Sequence, residues 1–160
     1  MDFNKLWQNF MEMVQNHYMD FGGRMGRAKF WYFMLVCFGV LLAASVIDAI
    51  ATYGLLRAIV GLALLLPIGG AAARRMQDTG RSGQLVWIWI IVGALYDVVV
   101  LLMALSGPWG VLAFFGLWPL LSLAGLAMLV VTIAIIYFCA QPGEAGPNAY
   151  GEPPPAWSPA

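Results

Sequence analysis

Between Arg74 and Gly83 the chain reads RRMQDTGRSG, which sets Arg74, Arg75 and Arg81 around the carboxylate of Asp78 with Gly80 and Gly83 nearby. Guanidiniums bind phosphate through paired N–H bonds, and glycines let backbone amides approach a phosphate oxygen. Arg24 and Arg27 would join this cluster at one headgroup plane if the first two apolar segments are neighbours. The chemistry implied is recognition of an anionic lipid headgroup, with each basic residue near an anionic leaflet contributing about 1 kcal/mol. Asp78 fits as the group that orients Arg74, Arg75 or Arg81, and Ser82 as the cap of a following helix. The plainer alternative is topological: basic loops fix orientation, and Asp78-Thr79-Gly80-Arg81 reads as a turn with a local salt bridge.

Asp48, Arg57 and Asp97 fall within apolar stretches, where a charge at the bilayer centre costs about 2.5–3.5 kcal/mol. Pairing Arg57 with Asp97 is the economical account, with Asp48 near enough to a segment end to reach water or share Arg57. The functional alternative is a small transporter or channel subunit that relays a proton or ion through Asp97. Small size and the lack of an inverted repeat weigh against it, and a channel would need several copies.

Enzymatic readings find little support. No His, Cys and carboxylate cluster has metal-ligand spacing, and neither a nucleophile elbow nor a phosphate-binding Gly-Lys motif occurs. Asp78-Thr79-Gly80 matches the aspartic-protease triplet without a second copy. The single His17 reads as an interfacial ring. Cys37 and Cys139 read as small buried apolar residues, neither a disulfide nor a metal pair. The expectation is a non-enzymatic protein with no cofactor and no metal.

The elements that must hold these residues follow from composition. With 62% hydrophobic and 10% charged residues in 160, the chain departs far from the soluble norm of about 45–50% and about 25%. An all-α, polytopic membrane protein with four transmembrane helices is expected, spans needing roughly 20 apolar residues each. They are read at about 30–52, 53–73, 85–105 and 120–140. Pro67, Gly69 and Gly70 should kink or loosen the second span, and Pro119 should divide the long run from Val111 to Ala140, leaving Val111 to Trp118 as an interfacial or re-entrant lead-in.

The net charge of zero hides an asymmetry. Lys5, Arg24, Arg27, Lys29, Arg74, Arg75 and Arg81 all fall on one side of a four-span arrangement, and Arg57 alone does not. The positive-inside rule then puts both termini and the Arg74 to Gly83 loop in the cytoplasm. Trp31, Tyr32, Trp87, Trp89 and Tyr137 would mark the inner interface, and Tyr53, Trp109 and Trp118 the outer one. Residues 1–20 are no signal peptide; Phe3, Leu6, Trp7, Phe10, Met13, Val14, His17 and Tyr18 recur at helical intervals, as in an amphipathic interfacial helix lying in the headgroup layer or covering the bundle. Residues 141–160 form a cytoplasmic tail rich in Pro and Gly, whose last residues read as disordered or polyproline-like.

FGGRMGRAKFW from Phe21 to Trp31, RRMQDTGRSG from Arg74 to Gly83 and PGEAGPNAYG from Pro142 to Gly151 resemble, in order and approximate spacing, the signatures of the bacterial inner-membrane family catalogued as domain of unknown function 805. Gly23, Arg24, Arg27 and Trp31 carry the first, Arg74, Arg75, Asp78, Gly80, Arg81, Ser82 and Gly83 the second, and Gly146, Asn148, Tyr150 and Gly151 the third. Gln77 stands where the family usually has His, and Gln84 where an aromatic usually follows. The resemblance implies a small helical inner-membrane protein and specifies no activity. The expected function is an integral membrane scaffold whose Arg motifs, Arg24, Arg27, Arg74, Arg75, Asp78 and Arg81, bind anionic phospholipid or a partner protein. A homo-oligomer is compatible with this reading, and nucleic acid is not an expected partner.

Overall fold

A computed structural model describes residues 2–52 and 54–157. The order is α1 (Phe3–Asn16), α2 (Arg27–Ile47), a π turn at Asp48–Thr52, α3 (Leu55–Asp78), α4 (Gln84–Leu105) and α5 (Pro108–Ala140). Among the described residues the fold is all-helical, apart from an isolated bridge between Asn148 and Gly151. Among the described residues four segments are long and apolar enough to cross a membrane: Arg27–Ile50, Leu55–Asp78, Gln84–Leu105 and Phe115–Ala140.

Asp2 starts α1, its side chain accepting from the Asn4 amide at 2.9 Å. Leu6, Asn9, Phe10 and Met13 are buried at helical intervals. That face covers the bundle: Phe10 stacks on Phe33 of α2 with ring centroids 6.0 Å apart, and Asn9 Nδ2 donates to the Lys29 carbonyl. Phe3 and Trp7 stay exposed.

The turn from α2 to α3 is built on Asp48. Its carboxylate accepts from the backbone amides of Leu56 at 3.0 Å and Arg57 at 2.6 Å, capping the start of α3 from the turn that precedes it. Asp48 therefore serves the Arg57 amide, a role that the expectation of water access or a shared guanidinium did not include. Tyr53, read as an outer-interface aromatic and the start of the second span, lies outside the described residues.

Two boundaries differ from expectation. The second span was expected to end at Ala73, yet α3 runs unbroken through Pro67, Gly69 and Gly70 to Asp78. Arg, Met and Gln are good helix formers, and the helical spacing lets Arg75 meet Asp78 three residues on. The glycines serve packing: a Cβ on Gly69 would stand 2.6 Å from Ile90 Cδ1, and one on Gly70 would stand 2.7 Å from the Asp20 carbonyl oxygen. The helix is central, with 50% of its apolar window buried against 22% or less in the others.

The division expected at Pro119 is also absent, since α5 is one helix of 33 residues. Proline fits helical φ and removes only one ladder bond, which an otherwise apolar helix tolerates. At 1.5 Å per residue such a helix is roughly 50 Å long. Ser82 does not cap α4. Gly83 holds that position without a side-chain cap, because a Cβ there would lie 2.9 Å from Ala73 Cβ of α3.

Candidate functional site

The three sequence signatures meet at one end of the bundle, where α3 closes and α4 begins. Arg24, in the segment before α2, donates from Nε to Asp78 Oδ1 at 2.9 Å. Its Nη1 donates to the carbonyls of Gly146 at 2.7 Å and Gly151 at 3.2 Å, and its Nη2 to that of Glu144. Arg75 approaches the same carboxylate from α3, donating to Asp78 Oδ2 from Nη1. Its Nε reaches the Cys139 carbonyl at 2.9 Å, and its Nη2 the carbonyl of Gln141. The side chains of Arg24, Arg75 and Asp78 are 1%, 0% and 5% exposed.

Burying these charges is sustainable only because each is paired and its remaining donors or acceptors are met. Asp78, whose oxygens are both engaged, offsets one of the two positive charges, and the remaining guanidinium donors are met by backbone carbonyls. Carbonyl oxygens come from the end of α5 and the tail, which point inward because Gly and Pro keep the segment out of a helix.

Residues 141–151, although exposed along most of their length, are therefore held in place on the bundle. The Glu144 amide donates to the Asp78 carbonyl at 2.9 Å. Asn148 Nδ2 bonds both the Gln77 carbonyl at 3.0 Å and Glu144 Oε2 at 2.8 Å, while Asn148 Oδ1 accepts from the Tyr150 amide at 2.9 Å. Glycine is required at the contacts: Gly143 lies against the Asp78 carboxylate and Gly80, at φ +75°, against that of Glu144. The surface beside Gly80, expected to admit a phosphate oxygen, is occupied by the chain's own carboxylate. Beyond it, Trp157 packs on Tyr32 with centroids 5.5 Å apart. Residues 158–160 of the expected disordered tail lie outside the described residues.

The remaining arginines separate. Arg74 turns to the other side of α3, where its Nη1 meets Asp20 at 3.5 Å and its Nη2 the Met13 sulfur at 3.4 Å. Arg81 is exposed, donating to Thr79 and stacking over Phe138 at 4.8 Å. Arg27 is exposed at the first turn of α2. Asp78 thus orients Arg75, as one of the expected options has it, together with Arg24. Gln77 donates to the Phe21 carbonyl at 2.9 Å, a bond that an imidazole N–H can also make, and its buried Oε1 has no hydrogen-bond partner among the described residues.

His17 ends α1 with its ring 3.1 Å from Asp20, and Cys37 and Cys139 are buried free thiols. Among the described residues no group of His, Cys, Asp and Glu is placed to hold a metal ion.

A second polar site lies toward the opposite end. Arg57 Nη1 approaches Asp97 Oδ1 at 3.6 Å beside an open cavity of about 390 Å³ lined by α2, α3, α4 and α5.

The tail's share in the arginine cluster was missed at the level of sequence. The signal available was the recurrence of Gly with Asn148 and Pro in PGEAGPNAYG, a pattern of defined turns as much as of disorder.

Residues 18–152 match the family described as "Protein of unknown function (DUF805)". Among curated proteins, the chain is similar to the uncharacterized protein YiiR of Escherichia coli (strain K12), 29% identical over 143 residues that cover 87% of this chain and 88% of that one. YiiR of Escherichia coli O157:H7 is similar to the same extent, at 29%. No solved structure matches.

Proposed function

The chain belongs to the DUF805 family of proteins of unknown function, and from that premise we propose that it is a non-enzymatic scaffold of the bacterial inner membrane, with both termini cytoplasmic, that engages anionic phospholipid or a partner protein. The carrying observation is the division of labour among its basic residues. Arg24 and Arg75 are enclosed by Asp78 and backbone carbonyls, which leaves exposed Arg27 and Arg81 at the same end of the bundle to meet headgroup phosphates. Exposed Trp7, Trp31, Trp87 and Tyr137 support this reading, since amphipathic rings favour headgroup depth. In it, α1 lies along the inner headgroup layer with Phe3 and Trp7 toward lipid and its buried face on the bundle. The enclosed arginines fold the cytoplasmic face, and the exposed ones read the lipid.

Native mass spectrometry of the detergent-extracted protein tests it, with wild type compared to the Arg27→Gln/Arg81→Gln double variant. Anionic phospholipid adducts on wild type that fall in the variant are the expected result. Equal adducts in both would reduce these arginines to setters of topology.

A further inference from the structure

The cavity beside Arg57 and Asp97, at about 390 Å³, has the size of a small-molecule site. Its wall has the usual composition of such sites, an apolar body with a few convergent polar groups. Leu65, Ile68, Val92 and Met128 line the body, and the polar end carries Arg57 and Asp97. The Asp97 side chain is 11% exposed and that of Arg57 45%, so the guanidinium stands at the mouth and the carboxylate within.

The pair does not close on itself. Its 3.6 Å separation exceeds a hydrogen bond, leaving donors on Arg57 and acceptors on Asp97 for a third group. Gly61 lets the carboxylate lie flush on α3, since a Cβ there would stand 2.8 Å from Asp97 Oδ2. Gly125, also in the wall, faces open space.

We propose that this cavity binds an α-amino acid with a large hydrophobic side chain, its carboxylate on Arg57, its ammonium on Asp97 and its side chain among Leu65, Ile68 and Met128. A ligand that carries both charges side by side can take up both members of the pair, whereas a simple anion or cation that drew one of them away would leave the other protein charge unmatched. The order of depth distinguishes the class. Gly61, on which Asp97 packs, lies four residues beyond Arg57 along α3, about 6 Å of helix axis, so the carboxylate is the deeper of two groups that stand 3.6 Å apart. A zwitterionic phospholipid presents the opposite order, its phosphate lying nearer the chains than its ammonium. In an amino acid both charges sit on one carbon, with the apolar group free to point inward. The site is separate from the headgroup-binding surface and does not depend on it.

The test uses the full chain in lipid nanodiscs and radiolabelled L-leucine, L-phenylalanine and L-tryptophan in an equilibrium binding assay. Saturable binding of at least one is expected. Its N-acetyl derivative, which lacks the ammonium, and its methyl ester, which lacks the carboxylate, should each compete roughly tenfold or more weakly. Asp97→Asn and Gly61→Leu should abolish binding while leaving the anionic lipid adducts of the wild type in place. No saturable binding of any of the three amino acids to wild type, or equal competition by the parent and both derivatives, would overturn the proposal. Both outcomes are read on unmutated protein, so a folding defect in a variant cannot mask them.

Discussion

Gly143 lies flush against the carboxylate of Asp78, with no room for a side chain between the tail and the end of α3. This contact lets one acid face both Arg24 and Arg75 while the tail closes over them, joining residues far apart in sequence. Gly143→Ala should force the tail outward and destabilise the protein by about 1–3 kcal/mol, the usual cost of overpacking. Limited proteolysis should then cut near residues 141–151 more readily than in wild type. Gly146→Ala is the control, because a Cβ at Gly146 meets nothing within 4 Å. Equal protection of the two variants would remove the steric role assigned to Gly143.

Arg24 illustrates why charge alone does not satisfy this site. Its Nε, Nη1 and Nη2 address four acceptors in different directions, Asp78 Oδ1 and the carbonyls of Glu144, Gly146 and Gly151. A lysine ammonium has three donors on a single atom and cannot span that set. Arg24→Lys should therefore lose most of what Arg24→Gln loses, about 3–5 kcal/mol for breaking a buried pair. Thermal unfolding in detergent, followed by tryptophan fluorescence, reads this directly. Full retention of stability by the lysine variant would mean that position 24 contributes only charge.

The α2–α3 turn makes a more local claim. Asp48 accepts from the Leu56 and Arg57 amides, and capping side chains of this kind contribute about 0.5–2 kcal/mol. Asp48→Ala should cost that much, and Asp48→Asn, which keeps one acceptor oxygen, should cost less. Hydrogen exchange at the first turn of α3 should quicken in the alanine variant. Unchanged exchange there would show that the cap does not stabilise the helix start.

How far the sequence disclosed this structure depends on whether a feature rests on local pattern or on long-range partners. The four apolar helices were legible because hydrocarbon length is a property of each segment alone. The end of α3 was not, because RRMQD looks like loop by charge, and only the Asp78 and tail carbonyl partners make it pay to bury Arg75. The apposition of Arg57 and Asp97 was expected from the high cost of each charge alone. The fate of Arg24 was hidden for the same reason as that of the tail, since the acceptors are backbone carbonyls, which every residue type carries. Ser82 misled because capping preference pointed to it, whereas the closeness of Ala73 requires Gly83 at the cap position.

The glycines of α3 offer the sharpest separation between helix loosening and packing. If Gly70 served only to soften the helix below Pro67, Gly70→Ala would stabilise it by roughly 0.5–1 kcal/mol, the ordinary gain for that change in a helix. The geometry gives the opposite sign. A Cβ at Gly70 would stand 2.7 Å from the backbone oxygen of Asp20, an atom that cannot swing aside as a flexible side chain can. The segment before α2 would have to move, and with it the Met25 amide, which donates to the Arg74 carbonyl at 3.1 Å. Gly70→Ala should therefore destabilise by about 1–3 kcal/mol. Gly39→Ala in α2, where a Cβ meets nothing within 4 Å, should show the small gain instead. Thermal midpoints moving in opposite directions in the two variants support close packing of the loop on α3, and a gain in both would assign Gly70 to helix flexibility.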